Sequence, residues 1–216
     1  MEKKTSPQLT ERQRVYIKIK RVLDVLLSGA GLIVLSPVFL GVMLAIKLED
    51  GWRAPVFFSQ KRVGNHKCYF QLYKFRSMKL DAPHDMPTHL LRDPEQYITK
   101  VGKVLRRTSL DELPQIFNIL KGDMSMIGPR PALWNQEDLL AERDKYGAND
   151  VAPGLTGWAQ INGRDELEID VKARLDGEYV EKLSFLFDVR CFFGTILHVL
   201  RSDGVVEGGT GTKEEK

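Results

Sequence analysis

The sequence predicts a mostly helical α+β chain attached to a membrane, on three observations. No charged residue occurs from Val25 to Ile46, a run of about 22 and long enough for a helix to cross a bilayer core. Short apolar and aromatic runs, Val56 to Phe58 and Tyr69 to Tyr73, lie either side of Gly64 and Asn65, the pattern of a β-hairpin with a polar turn. Most of the remainder carries apolar residues at helical spacing between glycine and proline breakers.

A chain of 216 residues is enough for one domain with a real core and short for two. Its net charge of +3 is unevenly spread: Lys3, Lys4, Arg12, Arg14, Lys18, Lys20 and Arg21 face only Glu2 and Glu11 before residue 22. A basic segment ahead of an apolar run is what an anionic membrane surface attracts. The run is too long, starts too late and lacks the small-residue cleavage site of a secretory signal. Cys68 and Cys191 form neither a disulfide framework nor a metal-ligand spacing, so they are expected as reduced thiols in a cytosolic compartment.

Ser36 and Pro37 stand in the middle of the apolar run. Pro37 has no N–H for the Ile33 carbonyl, which needs another partner such as the Ser36 hydroxyl. A kinked spanning helix and one that turns back are both compatible with these residues. Cations flank both ends, with Lys18, Lys20 and Arg21 before and Lys47, Arg53, Lys61 and Arg62 after, so charge marks neither end as translocated. Asp24, beside Lys20 and Arg21, is expected as an interfacial partner at the entry point. Ser28, Gly29, Ala30 and Gly31 suit close helix packing better than a nucleotide loop, whose third glycine is missing.

In YKFRSM, Lys74 and Arg76 share one face of an extended segment. Asp81 to Tyr97 is a polar loop, whose His84 and His89 have no third metal ligand at sensible spacing. A helix from Ile98 to Arg107 then delivers Arg106 and Arg107 to the central stretch, Ser109 to Pro131. There Ser109 is a good cap, and Leu110, Leu113, Phe117 and Leu120 form one apolar stripe. Pro114 is tolerable in a first helical turn, which holds Asp111 and Glu112 at the helix entrance; Lys121 and Gly122 end the helix. Gly128, Pro129, Arg130 and Pro131 make a stiff turn that presents one guanidinium, a shape suited to phosphate.

Ala132 to Tyr146 reads as an amphipathic helix on Leu133, Leu139 and Leu140, and Val151 to Arg164 as a shaped loop with too many breakers for a regular element. Trp158, Gln160, Asn162 and Arg164 suit either a nucleotide pocket or a structural turn. Val171 to Leu183 and Phe185 to Leu200 are expected helices; the second has aromatic residues opposite cations, fitting either the headgroup region or a core. From Gly208 onward the chain is expected to be disordered.

An acidic pair at a helix start ordinarily complements the helix dipole. Here Arg106, Arg107 and Arg130, with Lys74 and Arg76 further off in sequence, bracket Asp111 and Glu112. Such a set suits a place where an anion and a divalent cation such as Mg²⁺ meet, because carboxylates repel a phosphate unless a metal bridges them.

The runs FSQKRVG, YKFRSM, TKVGKVLRRTSLDELPQIFNILKGDMSMIGPRP and PGLTGWAQINGR, in this order, closely resemble the bacterial sugar transferase family, over roughly Lys20 to Val205. Its members are monotopic phosphoglycosyl transferases that move a sugar 1-phosphate from a nucleotide diphosphate sugar, usually of uridine, to a polyprenol phosphate. The resemblance implies a polar segment over 1–19, a membrane helix over 20–47 that turns back at Ser36 and Pro37 to leave on the cytoplasmic face, a catalytic domain over 48–206 and a tail over 207–216. It implies that Asp111 is a nucleophile and a Mg²⁺ ligand, with Glu112 its partner. Arg106 and Arg130 match positions around the donor phosphates, and Lys74, Arg76, Gln160 and Arg164 are expected to contact phosphate or nucleotide. Membrane lipid, nucleotide sugar and polyprenol phosphate are the implied partners, and nucleic acid is not. A non-catalytic basic membrane scaffold and a direct ternary-complex transferase are the rival readings.

Overall fold

A computed structural model describes residues 8–83, 94–163 and 167–201, with side chains to residue 197. Helix α1 (Glu11–Asp50) is followed by the antiparallel hairpin β1 (Phe57–Val63) and β2 (Tyr69–Phe75), then α2 (Lys100–Arg107) and α3 (Gln115–Lys121). Next come β3 (Ser125–Ile127), α4 (Glu137–Asp144), β4 (Gly154–Thr156), α5 (Trp158–Ile161), α6 (Ile169–Glu181) and α7 (Phe185–Arg201). Arg164, His84, His89 and the tail from Gly208 lie outside the described residues.

Thr10 and Gln13 start α1 with reciprocal caps, the Thr10 hydroxyl accepting the Gln13 N–H and the Gln13 side chain accepting the Thr10 N–H. The sequence suggested a helix broken at Ser36 and Pro37. The backbone instead stays helical through both, from Glu11 to Asp50. Pro37 strands the Ile33 carbonyl, and the Ser36 hydroxyl donates to it at 2.7 Å, replacing the missing bond where the ladder was weakest.

One domain holds α1 along its whole length. Near its start Gln13 donates to the Val180 carbonyl, Lys20 and Tyr16 meet Asp188 of α7, and Arg21 donates to the Ile119 and Leu120 carbonyls at the end of α3. In the middle Ser28 is buried and a Cβ on Gly31 would stand 3.3 Å from Ile116, the close packing expected of the small residues. A Cβ on Gly29, by contrast, would meet nothing within 4 Å and Ala30 is exposed, because these two lie on the outer face of the helix. Phe39, Val42 and Ile46 join Phe75, Leu105 and Ile116 in a core. At its end, Glu49 accepts the first two N–H groups of α2, from Lys100 and Val101.

Asp24 does not pair with its neighbouring cations. It is buried and accepts the Met126 N–H of β3 at 3.0 Å, because the first turns of α1 pack into the domain. Asp24→Ala would leave that donor buried and unpaired, costing about 1–3 kcal/mol. A lower melting temperature in detergent, largely restored by Asp24→Asn, is the expected result. The opposite face of α1 leaves Leu26, Ile33, Val34, Leu40 and Leu48 exposed, and α7 likewise leaves Phe185, Leu186, Phe193 and Leu197 exposed.

The hairpin forms as expected, with Phe58 opposite Lys74 and a short turn at Asn65–Lys67. The stretch from Val151 was expected to lack regular structure, yet it contains β4, paired parallel to β3, and the short helix α5. Its glycines permit rather than prevent this. A Cβ on Gly154 would lie 2.1 Å from the Gly128 nitrogen, and one on Gly157 2.0 Å from the Gly128 oxygen. Two backbones touch where no side chain fits, so Gly154→Ala is expected to prevent stable folding, read as loss of the cooperative thermal transition.

Candidate active site

The acidic pair does not open a long helix capped by Ser109. Ser109 takes the left-handed conformation at φ 55° and makes no side-chain cap; Leu110–Glu112 form a separate tight turn, and Pro114 stands at the cap position of α3. The reason is local. In an α-helix the residue at 114 would donate to the Leu110 carbonyl, and proline has no N–H to give, so the Leu113 N–H takes that acceptor at 3.2 Å instead. The consequence is that Asp111 and Glu112 sit in a turn of their own, fixed by α2 before them and α3 after.

Lys74 of β2 bridges the pair. Its Nζ lies 2.8 Å from Glu112 Oε1 and 3.6 Å from Asp111 Oδ2, the first a hydrogen bond and the second an ion pair. Arg130 brings a second cation, with Nη2 2.9 Å from the same Glu112 oxygen. Asp111 is only 2 % exposed. Burial works most strongly against ionisation of Glu112, yet Arg130 and then Lys74 outweigh it and hold the carboxyl well below the usual range. Four residues from three parts of the sequence therefore form one mixed-charge cluster, with Asp111 buried and Lys74, Glu112 and Arg130 half-buried.

Lys74 lies in β2 and Arg76 one residue past its end, where Arg76 pairs with Asp50 at the end of α1 at 2.6 Å. Arg106 Nε donates to the Ser77 hydroxyl at 3.0 Å. Both contacts thus anchor the segment just beyond Lys74. Gln160 lies beside Gly157, and neither its amide oxygen nor its amide nitrogen, both buried, has a hydrogen-bond partner. Ser36 and Pro37 are exposed, far in sequence from the cluster and on the unpacked side of α1.

The carboxylates at Glu49 and Asp50 escaped sequence reasoning, because their partners are remote: the start of α2 and Arg76. Arg143 escaped it too. Its signal is a charge four residues after Leu139, on the side of α4 that packs inward.

The chain matches the family model for bacterial sugar transferases over residues 15–202. It is 40 % identical over 196 residues to an uncharacterized sugar transferase, EpsL, of Bacillus subtilis, covering 91 % of this chain and 94 % of that one. It is 40 % identical over 185 residues to the UDP-glucose:undecaprenyl-phosphate glucose-1-phosphate transferase of Escherichia coli, covering 82 % of this chain. To the undecaprenyl-phosphate galactose phosphotransferase of Salmonella typhimurium it is 34 % identical over 200 residues, covering 86 % of this chain. It spans only 39 % and 41 % of the length of the last two proteins. Matched from the first turns of α1 to the end of α7, this chain belongs to the bacterial sugar transferase family.

Proposed function

We propose that the protein is a phosphoglycosyl transferase that moves a sugar 1-phosphate from a UDP-sugar to undecaprenyl phosphate, an early membrane step of bacterial glycoconjugate synthesis. The observation that carries this reading is the Asp111–Glu112 pair, its Asp111 buried, with Lys74 and Arg130 on it. A carboxylate beside fixed cations can attack a phosphorus whose own charge those cations neutralise.

In the first half-reaction an Asp111 oxygen attacks the sugar-proximal phosphorus of the donor. The bond from that phosphorus to the oxygen bridging the two phosphates breaks, and UMP leaves. In the second, an oxygen of the polyprenol phosphate attacks the same phosphorus, the bond to Asp111 breaks, and the carboxylate is restored. Arg130 and Lys74 hold the diphosphate, Arg106 completes the cationic wall, and Glu112, kept ionised, orients them and serves the second step. Arg76, through Asp50, keeps the strand bearing Lys74 in place. Gln160, with its unpaired amide, is assigned to the nucleotide, as is Arg164.

Among the described residues no three His, Cys, Asp or Glu side chains group into a metal cage. Mg²⁺ is commonly held by one or two carboxylates with the remaining positions filled by phosphate oxygens and water. Asp111 would hold it, and the ion would neutralise charge on the diphosphate.

The acceptor is a lipid and the donor soluble, so the site must sit at a membrane surface. The two ends of α1 support a helix that enters and leaves on one face. A straight helix from Gln13 to Glu49 would be about 54 Å long, whereas the ends of a spanning helix emerge on opposite sides of a hydrocarbon core about 30 Å thick. Gln13 and Glu49 both bond to the same domain. The exposed apolar faces of α1 and α7 then meet lipid on the cytoplasmic face. With Cys68 changed to Ser, single cysteines at Arg12 and Arg53 are expected to react with an impermeant thiol reagent from the same side of sealed vesicles. Labelling from opposite sides would establish a spanning helix.

The reaction is tested with protein purified in nanodiscs, Mg²⁺ and a panel of UDP-sugars. UMP release without polyprenol phosphate is the expected result. Release only with acceptor present would favour a ternary complex, and no release with any donor would leave a membrane scaffold.

A further inference from the structure

The turn that presents Arg130 is held by a buried ion pair, Arg143 with Asp176, that reaches Arg130 through its backbone carbonyl. Residues 129–132 lie in neither helix nor strand, and their successive carbonyls each accept from a different element. Pro129 accepts from the Gly154 N–H at 2.9 Å, Arg130 from Arg143 Nη2 at 3.0 Å, Pro131 from Arg62 Nη1 at 3.1 Å and Ala132 from the Val63 N–H at 2.9 Å. The contact on Arg130's own peptide comes from Arg143 of α4, whose side chain is 4 % exposed. The same guanidinium grips one oxygen of Asp176 on α6, with Nε at 2.8 Å and Nη2 at 2.6 Å.

Stability alone does not account for this pair. Burying two charges costs several kcal/mol each in desolvation, and apolar residues of similar size often hold helices together as well or better. Leu139 of α4 and Ala173 of α6 already pack together in an apolar cluster. What an apolar pair could not supply is a donor for the Arg130 carbonyl, which precedes Pro131 and has no ladder to join. The Arg130 guanidinium lies at the end of a long side chain, so a rotation of its peptide is magnified where it meets Glu112.

We infer that Arg143 and Asp176 are positioning residues for the phosphate-binding arginine: Asp176 orients Arg143, Arg143 fixes the Arg130 peptide, and the Arg130 side chain is thereby aimed at Glu112 and the donor diphosphate. This rests on the donor-binding role given to Arg130 above.

The test is a double-mutant cycle on UMP release, with thermal melting of every variant, using full-length protein in nanodiscs. Arg143→Gln is expected to lower kcat/KM for the donor about 10- to 100-fold, the scale of an ångström's misplacement. Arg143→Lys should recover part of that loss, because an ammonium still donates to a carbonyl. Arg143→Gln added to Arg130→Ala should cost little more than Arg130→Ala alone, since a residue acting through Arg130 has nothing left to position. Multiplying losses in the double variant, an Arg143→Gln enzyme within twofold of the parent, or failure of both Arg143 variants to fold would overturn the inference. Should the parent release no UMP, or Arg130→Ala match the parent, the donor-binding reading itself fails and this one falls with it.

Discussion

Asp111→Asn is expected to lower UMP release on the order of a thousandfold or more, the scale seen when a covalent nucleophile is removed. The exchange is nearly isosteric, and Lys74 and Arg130 keep their bonds to Glu112. The loss is therefore one of chemistry, with an unchanged melting profile as its control. Intact-mass measurement should find the phosphosugar adduct on the parent protein incubated with donor alone and none on the variant. Undiminished release from Asp111→Asn would remove the nucleophile from the mechanism. Glu112→Gln is informative beside it: if Glu112 serves only the second half-reaction, adduct should still form and then persist when polyprenol phosphate is added.

Lys74→Met is expected to have the next largest effect, a fall of about 100- to 1000-fold in kcat/KM for the donor, the range for loss of one preorganised charge at a reacting centre. Methionine keeps much of the volume, so the change falls chiefly on the charge. It also has a pH signature. Burial of Glu112 raises its pKa, while Arg130 and Lys74 together depress it well below the usual carboxylate range. A group with a depressed folded pKa contributes stability above its unfolded pKa, about 4.3 for Glu, and loses it as the pH falls through the folded value. With Lys74 gone, burial is less fully opposed and the folded pKa rises. The acid limb of the kcat/KM profile and the acid unfolding midpoint should both move to higher pH. A profile that keeps its acid limb would show that Arg130 alone sets the charge of Glu112.

Helix α1 and the carboxylate cluster share supports. Arg21 binds the end of α3, which begins just after Glu112, Asp24 binds β3 just before the Arg130 turn, and Glu49 and Asp50 hold α2 and Arg76. Removing α1 would therefore strip bonds from α2, α3, β3 and Arg76, so this helix is part of the scaffold of the cluster.

Some of this was legible in the chain alone. The apolar run, the hairpin, the helices from Lys100 and from Phe185, and the use of Ser36 to satisfy Ile33 all depend on neighbours a few residues apart, where spacing and hydrogen-bonding rules act directly. So did the gathering of Asp111 and Glu112, which adjacency guarantees. Local rules misjudged Ser109 as a cap, because the missing N–H of Pro114 acts five residues downstream. They misjudged the glycines after Val151 as breakers, because their reason is a second backbone, at Gly128, pressed against them. Asp24 looked interfacial because its nearest charges are Lys20 and Arg21, yet its partner is the Met126 amide, about a hundred residues on.

What the amino-acid sequence by itself determined is the inventory: an apolar helix, a hairpin, an acidic pair and several candidate cations, each set by short-range periodicity and chain stiffness. Which cations meet the acids was decided by tertiary structure alone. Lys74 and Arg130 reach Glu112, while Arg76 pairs with Asp50. The physical reason is that charges of one kind are interchangeable in a sequence, whereas a hydrogen bond about 3 Å long selects among them by where the packed strands and helices place each side chain.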